Sequence, residues 1–275
     1  MHKRFLLIGA GGVGSHLGEP LARLLEYSAI ENPALIIVDG DHYEAKNKTR
    51  QSFSQIGSKA EVLAGDLQPK FEKVLIAPLH SWVVESEEEE STVGEEDVDE
   101  FGNPNAAKIA ASKLLADGDV VYGVVDNFAA RTILLKAAAE LDNVDVFVAG
   151  NDEDMYGSVY HYRRRNGEDI TNNPVTFKDE FANPTDRNPG ELSCQERAEI
   201  DGGTQLIAAN FGVAAVLVGR TQATIIEESE GDSELEATEI LFDLRMGRMA
   251  PFDRRISTVV EQPVETNNTE LVSAE

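Results

Sequence analysis

Short apolar runs recur along the first half of the chain, separated by stretches whose apolar positions follow a helical spacing. The runs predict strands at Lys3–Ile8, Ala34–Asp39, Lys73–Leu79, Asp119–Val125 and Asp145–Ala149. The spaced stretches predict helices near Val13–Tyr27, Lys59–Leu67, Ala106–Ala116 and Ala129–Leu141. Alternation of this kind implies a mostly parallel sheet with helices on both faces. The strands are almost continuously apolar, as they must be when both faces are covered. Pro20 lies inside the first helix and predicts a kink or a later start there.

After Gly150 the pattern changes. Gly157–Arg164 and Glu239–Leu244 alternate more clearly and predict antiparallel strands. Between them lie a long polar segment, residues 166–203, and a helix from about Thr204 to Glu227. The polar segment holds Pro174, Pro184, Pro189 and Cys194, and a loop of that length is functional or disordered. No internal repeat is present. The expected fold is α/β and Rossmann-like: one domain over residues 1–262, an antiparallel C-terminal extension, and a frayed polar tail at 263–275.

Composition narrows the function classes. The chain has 275 residues, 24 basic and 50 acidic, and a formal net charge of -26. Nucleic-acid and anionic-membrane binding need a basic face, so both are excluded as expectations. Glu85 to Glu100 alone carries ten acidic residues and no basic one. It predicts a solvated flexible loop at about 85–105, with a docking segment for a basic partner as the alternative. A single cysteine, Cys194, excludes an intrachain disulfide and a four-cysteine zinc site, and fits a reducing cytoplasm. Met1-His2-Lys3-Arg4 runs directly into a strand, which argues against a signal peptide. No apolar run approaches the roughly 20 residues that span a bilayer. The stretch Phe211 to Gly219 reads as a helix of a soluble core.

Candidate chemistry gathers near the N-terminus. Gly9-Ala10-Gly11-Gly12-Val13-Gly14-Ser15 follows the first strand, and Gly9, Gly11 and Gly14 match G-x-G-x-x-G in the context that motif requires. Glycines are needed because a phosphate must reach the unpaired N–H groups and the positive dipole at a helix start. The second strand ends in Asp39-Gly40-Asp41, where Asp39 can accept from ribose hydroxyls. Asn47, Arg50, Gln51 and Lys59 follow and supply amide and cationic donors for phosphates. These extra donors point to ATP rather than to a redox dinucleotide. Ser15-His16 stand where a P-loop would need Lys-Ser/Thr, so the motif is not a P-loop.

These segments, with Gly57-Ser58-Lys59-Ala60, Asp126-Asn127 and Arg131, resemble the ThiF/MoeB/HesA superfamily, the adenylating domain of ubiquitin-activating-type enzymes. The resemblance covers Gly9 to about Leu141 well and the remainder loosely. It implies an adenylyltransferase that uses Mg-ATP to activate the C-terminal carboxylate of a small ubiquitin-like or sulfur-carrier protein, or a peptide, and releases pyrophosphate. On it, Gly9, Gly11, Gly12 and Gly14 cradle the nucleotide and Asp39 binds ribose. Asn47, Arg50 and Lys59 bind phosphates with Gln51 in support, and Asp126 holds Mg²⁺. Asp41 and Asn127 join the nucleotide set; alternatively Asp41 is a turn residue, and Asp126 and Asn127 cap the next helix. Arg131 reads as structural. Cys194 is either the acceptor of the activated acyl group or an uninvolved thiol. The resemblance also implies a homodimer, and the single cysteine departs from the paired zinc-binding cysteines common in the family. The competing classes are a nicotinamide or flavin oxidoreductase and a non-catalytic partner subunit of the same fold.

Overall fold

A computed structural model describes residues 3–92, 105–151, 155–188, 207–226 and 237–256. Strand β1 (Lys3–Ile8) leads into α1 (Gly12–Glu26) and β2 (Pro33–Val38). Two short strands, β3 (His42–Tyr43) and β4 (Gly57–Ser58), precede α2 (Lys59–Leu67) and β5 (Leu75–Leu79). Strands β6 (Ser81–Val84) and β7 (Ala107–Ala110), helix α3 (Ala111–Leu114), strand β8 (Val120–Gly123), α4 (Phe128–Ala138) and β9 (Val144–Asn151) follow. The rest comprises β10 (Tyr156–Arg165), β11 (Glu168–Asp169), α5 (Asp179–Ala182), α6 (Ile207–Thr221), β12 (Glu239–Asp243) and β13 (Arg248–Phe252).

The main sheet runs β13-β12-β10-β9-β8-β1-β2-β5, with β11 paired to β10. The five strands from β9 to β5 are mutually parallel, and β10, β12 and β13 are antiparallel to their neighbours. This is the expected α/β, Rossmann-like arrangement with its antiparallel extension. Alternate side chains of each strand feed two cores. Phe5, Leu7, Leu35 and Ile37 pack with Leu17, Leu21 and Leu25 of α1 and with Val213 and Leu217 of α6. Leu6, Ile8, Val38 and Val146 pack with Ile133, Leu134 and Leu135 of α4. Both faces are dry, which is why the strand sequences are unbroken by polar positions. Pro78 is tolerated because β5 is the edge strand.

The chain steps outward from β1 through β2 to β5, then resumes on the other side of β1 with β8 and β9. The carboxyl ends of β1 and β8 therefore flank the point where strand order reverses, the usual crevice of such sheets.

Five expectations are corrected or refined. The Ala-rich stretch 106–116 is not one helix: Ala107–Ala110 pairs in parallel with Ser81–Val84, and only Ala111–Leu114 is helical. Alanine's helix preference is weak, and an available partner strand overrides it. Pro20 does not delay α1, which starts at Gly12 and continues past it. The acidic run is anchored at its start: Glu85 pairs with Lys136, and Lys113 pairs with both Glu87 and Glu90. Residues 93–104 lie outside the described part. The polar segment after Asn166 carries β11 and α5, with Phe181 fully buried against α4, and residues 189–203 lie outside the described part. Finally, α6 and its continuation form a helix, Ile207–Ile226, long and apolar enough by length and composition to cross a membrane. It is half buried, with Val213 and Leu217 in the core.

Candidate functional site

The site is built where β1 hands over to α1. Gly9 has φ +98°, a conformation that favours glycine, and a Cβ there would stand 3.0 Å from the Val124 and Val125 backbone. Gly14 is tighter still, since its Cβ would lie 1.8 Å from the Gly9 carbonyl oxygen. These two glycines let α1 and β8 close onto the end of β1. Gly11 differs. A Cβ there would meet only Gln51 Nε2, at 3.8 Å, so the space beside it is open. Gly11 precedes the first turn of α1, whose N-terminal amides lack intrahelical partners.

Asp39, just past β2, stitches this loop to its own. Its Oδ2 accepts from the Ala10 amide at 2.6 Å and its Oδ1 from the Asp41 amide at 2.8 Å. Burial raises the Asp39 carboxyl above its usual range, against the opposing charge of Lys59. Tyr43 donates its hydroxyl to the Ala10 carbonyl at 2.7 Å and stacks on Phe53.

Lys59 begins α2 and is buried. Its Nζ donates to Asp41 Oδ2 at 2.5 Å. Burial alone would lower its pKa, but the charges of Asp39 and Asp41, the Asp41 hydrogen bond and the charge of Asp126 raise it. Desolvation would raise Asp41, and the charge and hydrogen bond of Lys59 outweigh it and bring the carboxyl down. One buried cation thus sits in the field of three carboxylates from the ends of β2 and β8.

Residues 44–52 form the other wall. Asn47 Oδ1 accepts from the Glu44 amide at 2.8 Å, so this side chain builds the 3₁₀ turn Ala45–Thr49. Arg50 caps that turn, and Gln51 is buried with its Nε2 toward Gly11. Gln51 Oε1 has no partner among the described residues. Ser15 Oγ accepts from the Ser52 amide at 3.2 Å, tying this segment to α1.

Beyond β8, Asp126 is exposed, and its carboxylate makes no hydrogen bond among the described residues. Asn127 caps α4 through the Ala130 amide at 2.8 Å. Arg131 is buried, fastened by two donors to the Val125 carbonyl at 2.9 and 2.6 Å, with its guanidinium filling the space above Gly150. Burial lowers its pKa, and the charges of Asp126 and Asp186 oppose that. Asp186, which sequence reasoning did not single out, accepts from the Phe128 and Ala129 amides at 2.6 and 2.9 Å and completes the N-terminus of α4. His16 and Asn210 were also missed: both donate to the Arg50 carbonyl. A histidine and an asparagine within helical patterns carry no local signal for that contact.

The structure therefore brings Gly9–Gly14, Asp39, Asp41, Asn47, Arg50, Gln51, Lys59 and Asp126 to one end of the sheet. Cys194 lies outside the described residues. A profile of the ThiF family matches residues 1–228. The chain belongs to the ThiF family. Among solved structures it is similar to E. coli MccB with MccA-N7isoASN, at 16% identity and a TM-score of 0.61, covering 93% of this chain and 65% of that one. E. coli MccB with ATP is similar at 15% identity and TM-score 0.55, covering 93% and 65%. PaaA is similar at 15% identity and TM-score 0.59, covering 92% and 64%. At these identities the likeness is one of fold, and the chain spans under two thirds of those ThiF-fold structures. No curated protein sequence matches it.

Proposed function

We propose that this ThiF-family chain is an ATP-dependent adenylyltransferase that activates the carboxylate of a peptide, or of the C-terminus of a small ubiquitin-like or sulfur-carrier protein. One observation carries the reading: the opening beside Gly11 is faced by Gln51, in the same crevice as buried Lys59 and Asp39. An anionic ligand would find unpaired helix amides, a cation and amide donors there. That MccB has been crystallised with ATP and with MccA-N7isoASN supports both halves of the reading.

In the proposed arrangement Asp39 takes the ribose, and Arg50, Lys59 and Asn47 take the phosphates with Gln51 in support. Asp41 sets Lys59, and Asn127 shapes the start of α4. Asp126 fits a Mg²⁺ ligand, because its carboxylate is exposed and Mg²⁺ commonly needs only one or two carboxylates beside phosphate oxygens. Mg²⁺ would supply charge neutralisation at the phosphates.

The reaction needs no strong base. The substrate carboxylate oxygen bonds to the α-phosphorus, the bond from that phosphorus to the bridging oxygen breaks, and pyrophosphate leaves with its electron pair. The chain's task is to hold two anions in line and neutralise them, which Arg50 does as a fork and Lys59 as a point charge. Cys194 is proposed as a bystander to this step. Homodimerisation is proposed from the exposed apolar residues Ile207 and Phe211 on α6 with Leu244, Met246 and Met249. Light scattering at micromolar concentration tests it, a monomer mass counting against it. Function is tested by calorimetry with Mg-ATP and NAD, then by ATP–pyrophosphate exchange with carboxylate-ended peptides. Tighter binding of NAD than of ATP would sink the proposal.

A further inference from the structure

We propose that His16 and Asn210 are positioning residues for Arg50, a role that rests on reading Arg50 as a phosphate ligand. The Arg50 carbonyl accepts from His16 Nε2 at 3.0 Å and from Asn210 Nδ2 at 3.2 Å. The two donors come from different helices, α1 and α6, that pack on the same face of the sheet. On its other side, the Arg50 amide donates to the Asn47 carbonyl at 3.0 Å, and the Gln51 amide to the same carbonyl at 2.9 Å. Ser15 takes the Ser52 amide at 3.2 Å. Both peptide groups flanking Gln51, and the one before Arg50, are thus hydrogen-bonded. Fixing a peptide plane fixes the directions in which the neighbouring side chains leave the backbone. The clamp therefore sets the aim of Arg50 and of Gln51, whose Nε2 faces Gly11.

Stability alone does not account for the donors. Asn210 is completely buried in a helix otherwise rich in alanine, valine and leucine, and its Oδ1 has no partner among the described residues. An apolar residue there would leave no such unpaired acceptor. Among the described residues its one side-chain hydrogen bond goes to the Arg50 carbonyl. His16 is half-buried with its ring against Phe211, centroids 4.2 Å apart. Burial holds its pKa below the ordinary histidine value, partly offset by the Arg50 carbonyl. The neutral ring donates from Nε2, so the contact is held at neutral pH.

The test separates aim from packing. His16→Phe keeps a ring for Phe211 but removes the donor, and His16→Gln restores a donor without the ring. Asn210→Leu removes a donor and the orphan acceptor together. With Mg-ATP as the calorimetric probe, His16→Phe and Asn210→Leu should each weaken binding about tenfold, the loss expected for a misdirected charged contact. His16→Gln should recover most of it. Thermal melting should show Asn210→Leu no less stable than the natural chain. In an Arg50→Ala background, both substitutions should weaken ATP binding clearly less than in the natural chain, the remaining loss passing through Gln51. Full additivity in that background, or unchanged ATP affinity in the two single variants, overturns the positioning role while leaving the Arg50 assignment standing. Unchanged ATP affinity in Arg50→Ala alone instead overturns the reading of Arg50 and the positioning role with it.

Discussion

Lys59 is joined to Asp41 twice: its amide donates to the Asp41 carbonyl at 2.9 Å, and its ammonium to the Asp41 carboxylate at 2.5 Å. The first bond fastens the start of α2 to the loop after β2. The second holds a buried cation in the field of Asp39, Asp41 and Asp126. The two bonds divide the labour between fold and chemistry, and a substitution can cut one without the other.

Lys59→Met should keep the backbone bond and cut the side-chain bond. Asp41 is half exposed and can rehydrate, so the stability cost should stay near 1 kcal/mol. Mg-ATP affinity should drop at least about tenfold, because the polyanion would then face the carboxylates of Asp39, Asp41 and Asp126 without the Lys59 charge that offsets them. Calorimetry beside a denaturant melt reads both quantities, and unchanged ATP affinity would remove Lys59 from the site.

The glycines should separate by task. Gly14→Ala places a Cβ 1.8 Å from a backbone oxygen and should destabilise the chain by about 3 kcal/mol or more. Gly11→Ala meets only a side-chain nitrogen at 3.8 Å and should cost about 1 kcal/mol. Yet Gly11→Ala should be the variant that is folded and loses ATP, since its methyl fills the approach to the helix amides. A folded Gly11→Ala protein with full ATP affinity would place the phosphates elsewhere.

Asp126→Ala should abolish pyrophosphate exchange with little change in melting, because its exposed carboxylate makes no hydrogen bond among the described residues. Arg50→Lys should retain charge but lose the fork, and exchange should fall by about 10²-fold. Wild-type exchange in either variant would refute that residue's assignment.

Acid should weaken the fold through His161. His161 is buried and donates to Asp145 at 2.8 Å, with Arg163 and Arg165 on the same carboxylate. Burial lowers His161 to about 4, although its hydrogen bond and the Asp145 charge pull upward. The unfolded chain titrates this group near 6.5, so between pH 6.5 and 4 it binds more protons than the folded one. Stability therefore falls as pH drops through that window, by about 3 kcal/mol at ~1.4 kcal/mol per unit. Burial would raise Asp145, but the His161 bond and the arginines hold it below the usual range, so a second loss begins below its unfolded value of 3.8. Denaturant melts from pH 7 to 4 should show a slope that His161→Gln flattens; an equal slope in both proteins would contradict it.

Cys194→Ser should leave pyrophosphate exchange intact, because adenylation uses phosphate ligands rather than a sulfur nucleophile. Downstream product should also be unchanged. A reducible enzyme–carrier adduct on non-reducing gels, lost in the serine variant, would assign the thiol an acyl-transfer role instead.

The strand–Gly-rich turn–helix unit, and the placement of Asp39 and of the segment from Asn47 to Lys59 beside it, were legible from residue order, because each signal is local. A glycine needed for close approach, a cap or an apolar run lies within a few positions of what it acts on. The antiparallel extension was legible from alternation, except for β13, whose residues are exposed and carry no burial signal. What escaped was decided at a distance. Ala107–Ala110 became a strand only because Ser81–Val84 was there to pair with it. Asp186 caps α4 from 58 positions away, and Asn210 reaches the Arg50 carbonyl from 160. Local sequence sets which backbone conformations are cheap. Packing of α1 and α6 on one face of the sheet decided which side chains meet the Arg50 carbonyl, because that juxtaposition exists only once the sheet has formed.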